Sequence, residues 1–154
     1  MISKSKTQTQ KLAVGLVNKI LKARHLQQVR GATIVALRGE LGAGKTTFVQ
    51  GFMKALGVKN RITSPTFVIC RKYKLKSQKS KVKSQMFFNV YHLDLYRINK
   101  PKELLDLGFK KILKDPRVIV LIEWPERAKK ILPKNMILLN FKHGKNEKER
   151  IIEM

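Results

Sequence analysis

A chain of 154 residues with 43% hydrophobic content is long enough for one packed domain and too short for two ordinary ones, so residues 1–154 are predicted to form a single domain. Its 34 Lys and Arg against 10 Asp and Glu give a formal net charge of +24, which favours polyanionic partners such as RNA, although lysines spread along the chain suit solvated faces equally well. The longest apolar run, residues 118–122, is too short to cross a membrane and the first ten residues are polar, so we expect a cytoplasmic protein without a membrane span or a secretory signal.

The first predicted element is an amphipathic helix. Thr7 and Gln10 have the spacing of a capping box at its start. An apolar stripe at helical spacing follows, formed by Leu12, Leu16, Val17, Ile20 and Leu21. After a polar stretch, the β-branched run at residues 32–37 predicts a buried strand that leads into a tight turn at Gly39.

A glycine-rich loop connects this strand to a second predicted helix, which begins near Lys45 and stops at Gly57, a residue suited to a left-handed cap. Residues 39–46, GELGAGKT, fit the pattern G-x-x-x-x-G-K-[ST] in the strand, loop and helix context that the pattern requires. We call residues 39–46 the glycine loop. A glycine turn with only a structural role would not need the lysine and threonine, so the pattern favours nucleotide binding.

The glycine loop is predicted to hold a polyphosphate. Without side chains in the way, successive backbone N–H groups point into a concavity that also faces the positive end of the following helix. Lys45 is expected to reach the β and γ phosphates, and Thr46 to offer its hydroxyl to Mg²⁺. The predicted nucleotide-binding residues of this segment are Glu40, Leu41, Gly42, Ala43, Gly44, Lys45, Thr46 and Thr47.

The next segment predicts a strand after Thr66, because Pro65 keeps Ser64 out of the helical region. Thr66 has the position of a nucleotide-sensing switch threonine, and a hydroxyl that closes a local turn is the alternative. The single cysteine, Cys70, is interpreted as a small buried residue without a chemical role. Residues 71–85 are rich in lysine and serine and predict a mobile hairpin or loop.

Residues 86–98 have strand composition and carry His92, Asp94 and Arg97 at their polar end. At the mouth of a sheet, Asp94 could orient or deprotonate an attacking water, or it could be a structural partner of Arg97. The spacing favours neither interpretation.

A second acid follows the apolar run of residues 118–122. Before it, Pro101 and Gly108 bracket a short predicted helix. Glu123 then ends a buried strand, as the magnesium-directing acid of a P-loop enzyme would, and an acid that only caps the next turn is the alternative. Trp124, the only tryptophan, is interpreted either as a wall of the site or as a core aromatic.

A brief helix is predicted after Trp124, and the tail predicts an antiparallel C-terminal hairpin around a turn at residues 144–146, with His143 beside it in solvent. Because apolar strands alternate with helices, we expect an α/β fold whose mainly parallel sheet is covered on both faces. Such sheets bind ligands beyond the carboxyl ends of their strands, where the predicted chemical residues lie.

Five segments in order, GELGAGKTTF, SPTF, YHLDLYR, ELLDLGF and IEWPER, over residues 39–127, closely resemble the TsaE (formerly YjeE) family of small bacterial ATPases. The resemblance implies a P-loop NTPase fold, three-layer α/β/α with a mixed central sheet. It also implies ATP or ADP and Mg²⁺ as cofactors, and a role in the threonylcarbamoyl modification of adenosine beside the anticodon of tRNAs that read codons beginning with A. In that family the ATPase binds the TsaD and TsaB pair, supports its repeated turnover, and hydrolyses ATP slowly alone.

The resemblance also implies roles for particular residues. It assigns phosphate binding to Gly42, Gly44 and Lys45, magnesium to Thr46 and Glu123, and a catalytic or metal-organising part to Asp94, so that Asp94, Glu123 and Lys45 form the expected catalytic set. It makes Thr66 a switch candidate and Trp124 a neighbour of the site. The segment around Thr9 resembles the family's T-x-x-L entry to the first helix, which lies close to the adenine. Two features depart from the family pattern and concern the partner surface: residues 71–85 are unusually basic, and the net charge of the chain is unusually high.

Two rival functions use the same residues. A small kinase could transfer the γ phosphate to a nucleoside or metabolite with residues 71–85 as its lid, and an RNA-binding protein could hold the nucleotide as a structural element. Direct tRNA contact through the lysines is compatible with the main hypothesis and with the second rival.

Overall fold

The computed structural model describes residues 1–26, 30–65, 68–75 and 87–154, with His25 described by its backbone alone. The strands are β1 (Ile2–Ser3), β2 (Thr33–Gly39), β3 (Cys70–Lys74), β4 (Asn89–Asp94), β5 (Val118–Glu123), β6 (Ile137–His143) and β7 (Arg150–Glu153). The α-helices are α1 (Lys6–Leu26), α2 (Lys45–Ala55), α3 (Lys102–Asp106) and α4 (Phe109–Lys114), and a 3-10 helix covers Pro125–Ala128. No helix in these ranges combines the length and apolar content that crossing a membrane requires.

The strands of the described residues form one mixed sheet in the order β1-β7-β6-β2-β5-β4-β3. The four central strands are parallel, because β2 pairs in parallel with both β5 and β6, and β4 pairs in parallel with β5. The outer pairs, β1 with β7, β7 with β6, and β3 with β4, are antiparallel. The predicted mainly parallel, mixed sheet and its C-terminal hairpin, β6 and β7, are therefore confirmed.

Both faces of the sheet are covered by helices. Every residue of β5 is buried, and its side chains alternate between two apolar clusters as strand geometry requires. Ile119 and Leu121 join the cluster that contains α1 and α2, whereas Val120 and Ile122 join the cluster that contains α3 and α4. This is the predicted three-layer α/β/α arrangement.

The first helix begins earlier than its predicted cap. The backbone N–H of Gln8 donates to Ser5 Oγ (3.1 Å), so Ser5 caps α1, and the N–H of Lys4 donates to Gln8 Oε1 (2.8 Å). The prediction of Thr7 as the cap is wrong, because Ser5 offers the same chemistry two residues earlier.

The segment predicted as a hairpin or loop, residues 71–85, begins within a strand. Residues 71–74 belong to β3, which pairs antiparallel with β4 at the edge of the sheet. Exposed basic side chains are common on edge strands because they discourage pairing with other chains, so lysine content there did not exclude a strand. The rest of that segment from residue 76 onward, and Thr66, lie outside the described residues.

Candidate functional site

The carboxyl ends of the central parallel strands bring two acids together. Glu123 is in register with Leu37 of β2 on one side and with Asp94 of β4 on the other. Neighbouring strands are about 5 Å apart, so the two carboxylates start from adjacent positions on one edge of the sheet. Both residues are buried, with 4% of Asp94 and 3% of Glu123 exposed.

The glycine loop faces the same edge. Gly42 and Gly44 have φ values of 74° and 96°, which side-chain-bearing residues adopt at a cost. At Gly39 a Cβ atom would lie 2.4 Å from the carbonyl oxygen of Phe141, so the loop has to leave β2 through a glycine. Gly44 precedes α2 and provides no side-chain cap, so the first amide groups of α2 keep their capacity to bind an anion.

Lys45 is held by the loop that precedes it. Its Nζ donates to the carbonyl oxygens of Gly39 (2.6 Å) and Glu40 (2.8 Å) and lies 4.1 Å from the ring centroid of Trp124. Burial lowers the pKa of the Lys45 ammonium below its ordinary value, while the Glu123 and Asp94 carboxylates oppose that shift. The lysine is thus partly desolvated, where an ammonium group attracts phosphate more strongly than it does in water.

Thr46 and Glu123 are in direct contact. Thr46 Oγ1 lies 3.2 Å from Glu123 Oε1 and 3.1 Å from Oε2, so the hydroxyl donates to the carboxylate. His92 Nε2 lies 2.9 Å from Glu123 Oε1 on the other side. A hydroxyl and a carboxylate are therefore placed side by side, as a hard divalent cation prefers.

Asp94 is held by two donors on neighbouring segments. Ser64 Oγ donates to Asp94 Oδ2, and the backbone N–H of Tyr96 donates to Asp94 Oδ1 (3.0 Å). Sequence reasoning assigned no role to Ser64. The following proline, which favours an extended backbone at Ser64, was the only local signal, and it did not indicate which strand the hydroxyl would contact.

A cleft of about 240 Å³ joins these groups. Its lining combines the predicted residues with Ser64: Leu41, Gly42, Gly44, Lys45, Thr46, Thr47, Ser64, Asp94, Glu123 and Trp124. Two predicted residues of the glycine loop do not line it: Glu40 contacts Lys45 through its carbonyl oxygen, and Ala43 is fully buried in the core.

Trp124 forms one wall of the cleft. Its backbone has a φ of 61°, its N–H donates to the carbonyl of Leu37 (3.2 Å), and its ring packs 5.1 Å from that of Tyr96. The residue therefore lines the cleft and also packs against the apolar cluster that contains α3 and α4.

Thr9 borders a second cavity of about 350 Å³ on the other side of the glycine loop. The two cavities share Gly42, Gly44 and Thr47. The Thr9 hydroxyl is buried against Ser3 Oγ (2.8 Å). Thr9 thus lies beside the glycine loop but outside the cleft of Asp94 and Glu123.

The C-terminal hairpin contacts the glycine loop. Arg150 Nε donates to the carbonyl of Gly42 (3.1 Å), and His143 Nε2 donates to the carbonyl of Leu41 (3.2 Å). His143 is exposed, as predicted, and its ring also bonds to the glycine loop. Sequence spacing carried no signal for either contact, because both cross about two thirds of the chain.

Among the described residues, no group of three or more His, Cys, Asp or Glu side chains is arranged to enclose a metal ion. The oxygen pair of Thr46 and Glu123 suits Mg²⁺, which usually takes one or two protein ligands together with waters and substrate phosphates. The chemistry of the cleft therefore fits a metal-bound polyphosphate better than a metal alone.

Comparison with known proteins finds matches in one family. The family model "Threonylcarbamoyl adenosine biosynthesis protein TsaE" matches residues 3–152. Among curated relatives, the tRNA threonylcarbamoyladenosine biosynthesis protein TsaE of Rickettsia typhi is 39% identical over 123 residues, which are 79% of this chain and 77% of that protein. The protein of the same name from Haemophilus influenzae is 36% identical over 109 residues, 71% of this chain and 62% of that protein.

Among solved structures, the crystal structure of YdiB from Bacillus subtilis has a TM-score of 0.68 and 25% identity, and the alignment covers 99% of this chain and 80% of YdiB. The predicted P-loop α/β fold is thereby confirmed. With a family model that spans almost the whole sequence, this chain belongs to the TsaE family of threonylcarbamoyl adenosine biosynthesis proteins.

Proposed function

We propose that this protein binds ATP or ADP with Mg²⁺, hydrolyses ATP slowly by itself, and supports the TsaD and TsaB pair in the threonylcarbamoyladenosine modification of tRNA. The observation that carries the proposal is the cleft in which the glycine loop, Lys45, Thr46, Asp94 and Glu123 meet. Membership of the TsaE family, whose relatives are named for this modification, supports the tRNA part.

The phosphate tail is proposed to bind at the glycine loop. The amides at the start of α2 and the Lys45 ammonium supply positive charge at one point, and the carbonyls of Gly39 and Glu40 keep the ammonium there until an anion competes for it. Thr46 and Glu123 are the residues that would hold Mg²⁺. Bound Mg²⁺ would neutralise negative charge on the phosphates.

Asp94 is proposed to orient or deprotonate the attacking water. It lines the cleft beside Glu123 and has both oxygens already positioned by Ser64 and the Tyr96 amide. A carboxylate fixed by two donors cannot rotate freely, so a water that donates to it is held in one direction, which is the usual function of such a group in P-loop enzymes.

Slow hydrolysis follows from the cationic groups of the cleft. Lys45 is the only cation among the described residues that line it, and Arg150 contacts the glycine loop from the second cavity. Lack of an arginine that stabilises the transition state costs about a thousandfold or more in P-loop enzymes. A partner that completes the site would raise turnover, and we assign that part to TsaD and TsaB.

The test begins with calorimetric titration of the full chain with ATP and ADP, with Mg²⁺ and with EDTA, using Lys45→Ala as the binding-deficient control. Turnover is then measured alone and with TsaD and TsaB, following both ATP loss and modified tRNA. We expect wild-type binding, loss of binding in the variant, and stimulation by the partners. Equal steady-state rates with and without TsaD and TsaB would refute the partner role, and a phosphorylated small-molecule acceptor would favour a kinase instead.

We further propose that the basic surface contacts tRNA. A cavity of about 620 Å³ beside α2 is lined by Lys54, Lys59 and Arg61, and its lining includes no carboxylate from the part of the chain that the structure describes. Contacts between such side chains and RNA phosphates release counterions, so tRNA affinity should fall steeply as salt concentration increases. Filter binding over a salt series tests this, and a salt-independent affinity would count against it.

A further inference from the structure

His92 is a fully buried polar residue at the base of the cleft. It lies in β4 two residues before Asp94, with none of its surface exposed, and its Nε2 is 2.9 Å from Glu123 Oε1. Thr46 Oγ1 contacts the same carboxylate from the glycine-loop side. The Glu123 carboxylate is therefore in contact with both the His92 ring and the Thr46 hydroxyl.

The contacts of the ring determine which nitrogen donates. A carboxylate accepts hydrogen bonds, so the nitrogen facing Glu123 is the N–H donor, Nε2. His92 Nδ1 has no hydrogen-bond partner among the described residues. A buried N–H without an acceptor is more costly than a buried lone pair without a donor, so this arrangement also favours the proton on Nε2.

We propose that His92 is a positioning residue for Glu123: its Nε2–H fixes Oε1 so that Oε2 is presented, next to the Thr46 hydroxyl, to a divalent cation on the phosphates. This inference rests on the proposed function, since it assigns a supporting residue to the same site. Outer groups that orient a metal-binding carboxylate typically change metal affinity by about 10- to 100-fold when removed.

A purely structural role for His92 makes a different prediction. If the ring only filled space between β4 and β5, any variant of similar volume would act through stability alone, and nucleotide binding would weaken equally with and without Mg²⁺. A positioning role affects only the metal-dependent part, because phosphate binding by Lys45 and the amides does not use Glu123.

The experiment compares His92→Gln with His92→Asn. A glutamine amide nitrogen can replace Nε2 at similar reach, whereas the shorter asparagine amide corresponds to Nδ1 and cannot reach Glu123. ADP binding is measured by calorimetry in EDTA and then over a Mg²⁺ series, and urea unfolding compares the stability of the two variants. We expect the Mg²⁺ concentration for half-maximal enhancement to increase by about 10- to 100-fold in the asparagine variant and much less in the glutamine variant. Affinity in EDTA should be unchanged in both.

A measurement on the wild-type chain does not depend on whether a variant folds. With ¹⁵N-labelled histidine, the His92 ring should show a protonated Nε2, and its resonance should shift when Mg²⁺ is added to the ADP complex. A proton on Nδ1, or asparagine and glutamine variants with the same Mg²⁺ dependence, would overturn the inference. Failure of the wild-type chain to bind any nucleotide would instead refute the proposed function, so the two outcomes are distinguishable.

Discussion

Replacement of Gly51 by alanine tests the packing on which the glycine loop depends. Gly51 lies in the middle of α2, and a Cβ atom there would be 2.6 Å from Gln10 Cα and 2.7 Å from the Gln10 carbonyl oxygen of α1. Carbon atoms in good contact are about 3.5–4.0 Å apart, so α1 would have to move by about 1 Å. The obstacle is backbone, which cannot rotate away as a side chain can.

The expected change in the free energy of unfolding is the difference between two contributions. Alanine in a helix interior gains about 1 kcal/mol over glycine, whereas forcing an extra group into a packed interior costs about 1–3 kcal/mol. Gly51→Ala should therefore destabilise the protein by up to about 2 kcal/mol. Gly15→Ala is the matched control, because Gly15 is an exposed residue of α1 whose added Cβ meets nothing within 4 Å. That variant should be stabilised by about 0.5–1 kcal/mol.

The assay is urea unfolding followed by circular dichroism, with the slope of the transition compared between variants. We expect the midpoint to decrease for Gly51→Ala and to increase for Gly15→Ala. Because Thr9 adjoins Gln10 and borders the cavity beside the glycine loop, Gly51→Ala should also weaken nucleotide binding. A Gly51→Ala protein that is stabilised as much as the Gly15→Ala control would show no cost of overpacking and would refute the close approach of α1 and α2.

Three other predictions concern single side chains. Thr46→Val keeps the shape and removes the hydroxyl, so Mg²⁺-dependent ADP binding should fall about tenfold or more while binding in EDTA is retained, as calorimetry would show. The Arg24 guanidinium donates to Gly31 O, Thr33 Oγ1 and Pro116 O. A lysine ammonium cannot reach all three acceptors at once, so Arg24→Lys should lower the free energy of unfolding, measured in urea, by about 1–3 kcal/mol. Burial raises the pKa of the Cys70 thiol from 9.0 to about 11, so alkylation by iodoacetamide at pH 8, followed by mass spectrometry, should be about a hundredfold slower than for the same thiol in urea-unfolded protein.

The centre of the fold was predictable because each of its signals is local. An apolar run indicates a parallel strand that is buried on both faces. A glycine-rich turn after it indicates that the backbone turns sharply away from the sheet. Glu123 was expected at the site because it ends such a run, whereas Asp94 was assigned to the site by the family resemblance, since its spacing alone favoured neither interpretation. The sheet register then puts both acids on one edge without further information.

The features that sequence analysis missed depend on partners elsewhere in the chain. β1 has only two residues and forms by pairing with the edge of β7. The N-terminal amino group also donates a hydrogen bond to the carbonyl oxygen of Ile152 in β7 (2.7 Å). α4, which follows the short predicted helix, starts directly after Gly108, a residue that we expected only to end a helix. Gly108 has a left-handed backbone (φ 73°) and turns the chain from α3 into α4. Residue spacing alone does not distinguish a single helix that ends at this glycine from two short helices that are joined by it.

The glycine loop itself is less self-contained than its sequence pattern indicates. Its carbonyls at Leu41 and Gly42 accept hydrogen bonds from the C-terminal hairpin, and the Arg150 guanidinium that supplies one of them is in turn fixed by the carbonyl of Glu149 (2.8 Å). Thr9, near the N-terminal end of α1, lines the cavity of about 350 Å³ that also borders the glycine loop and Arg150. Residues near both ends of the chain thus restrain a loop that carries the phosphate-binding pattern in its middle. Since a cradle of amides binds an anion well only if it is held in place before the anion arrives, the hairpin belongs to the proposed phosphate site as much as the glycines do.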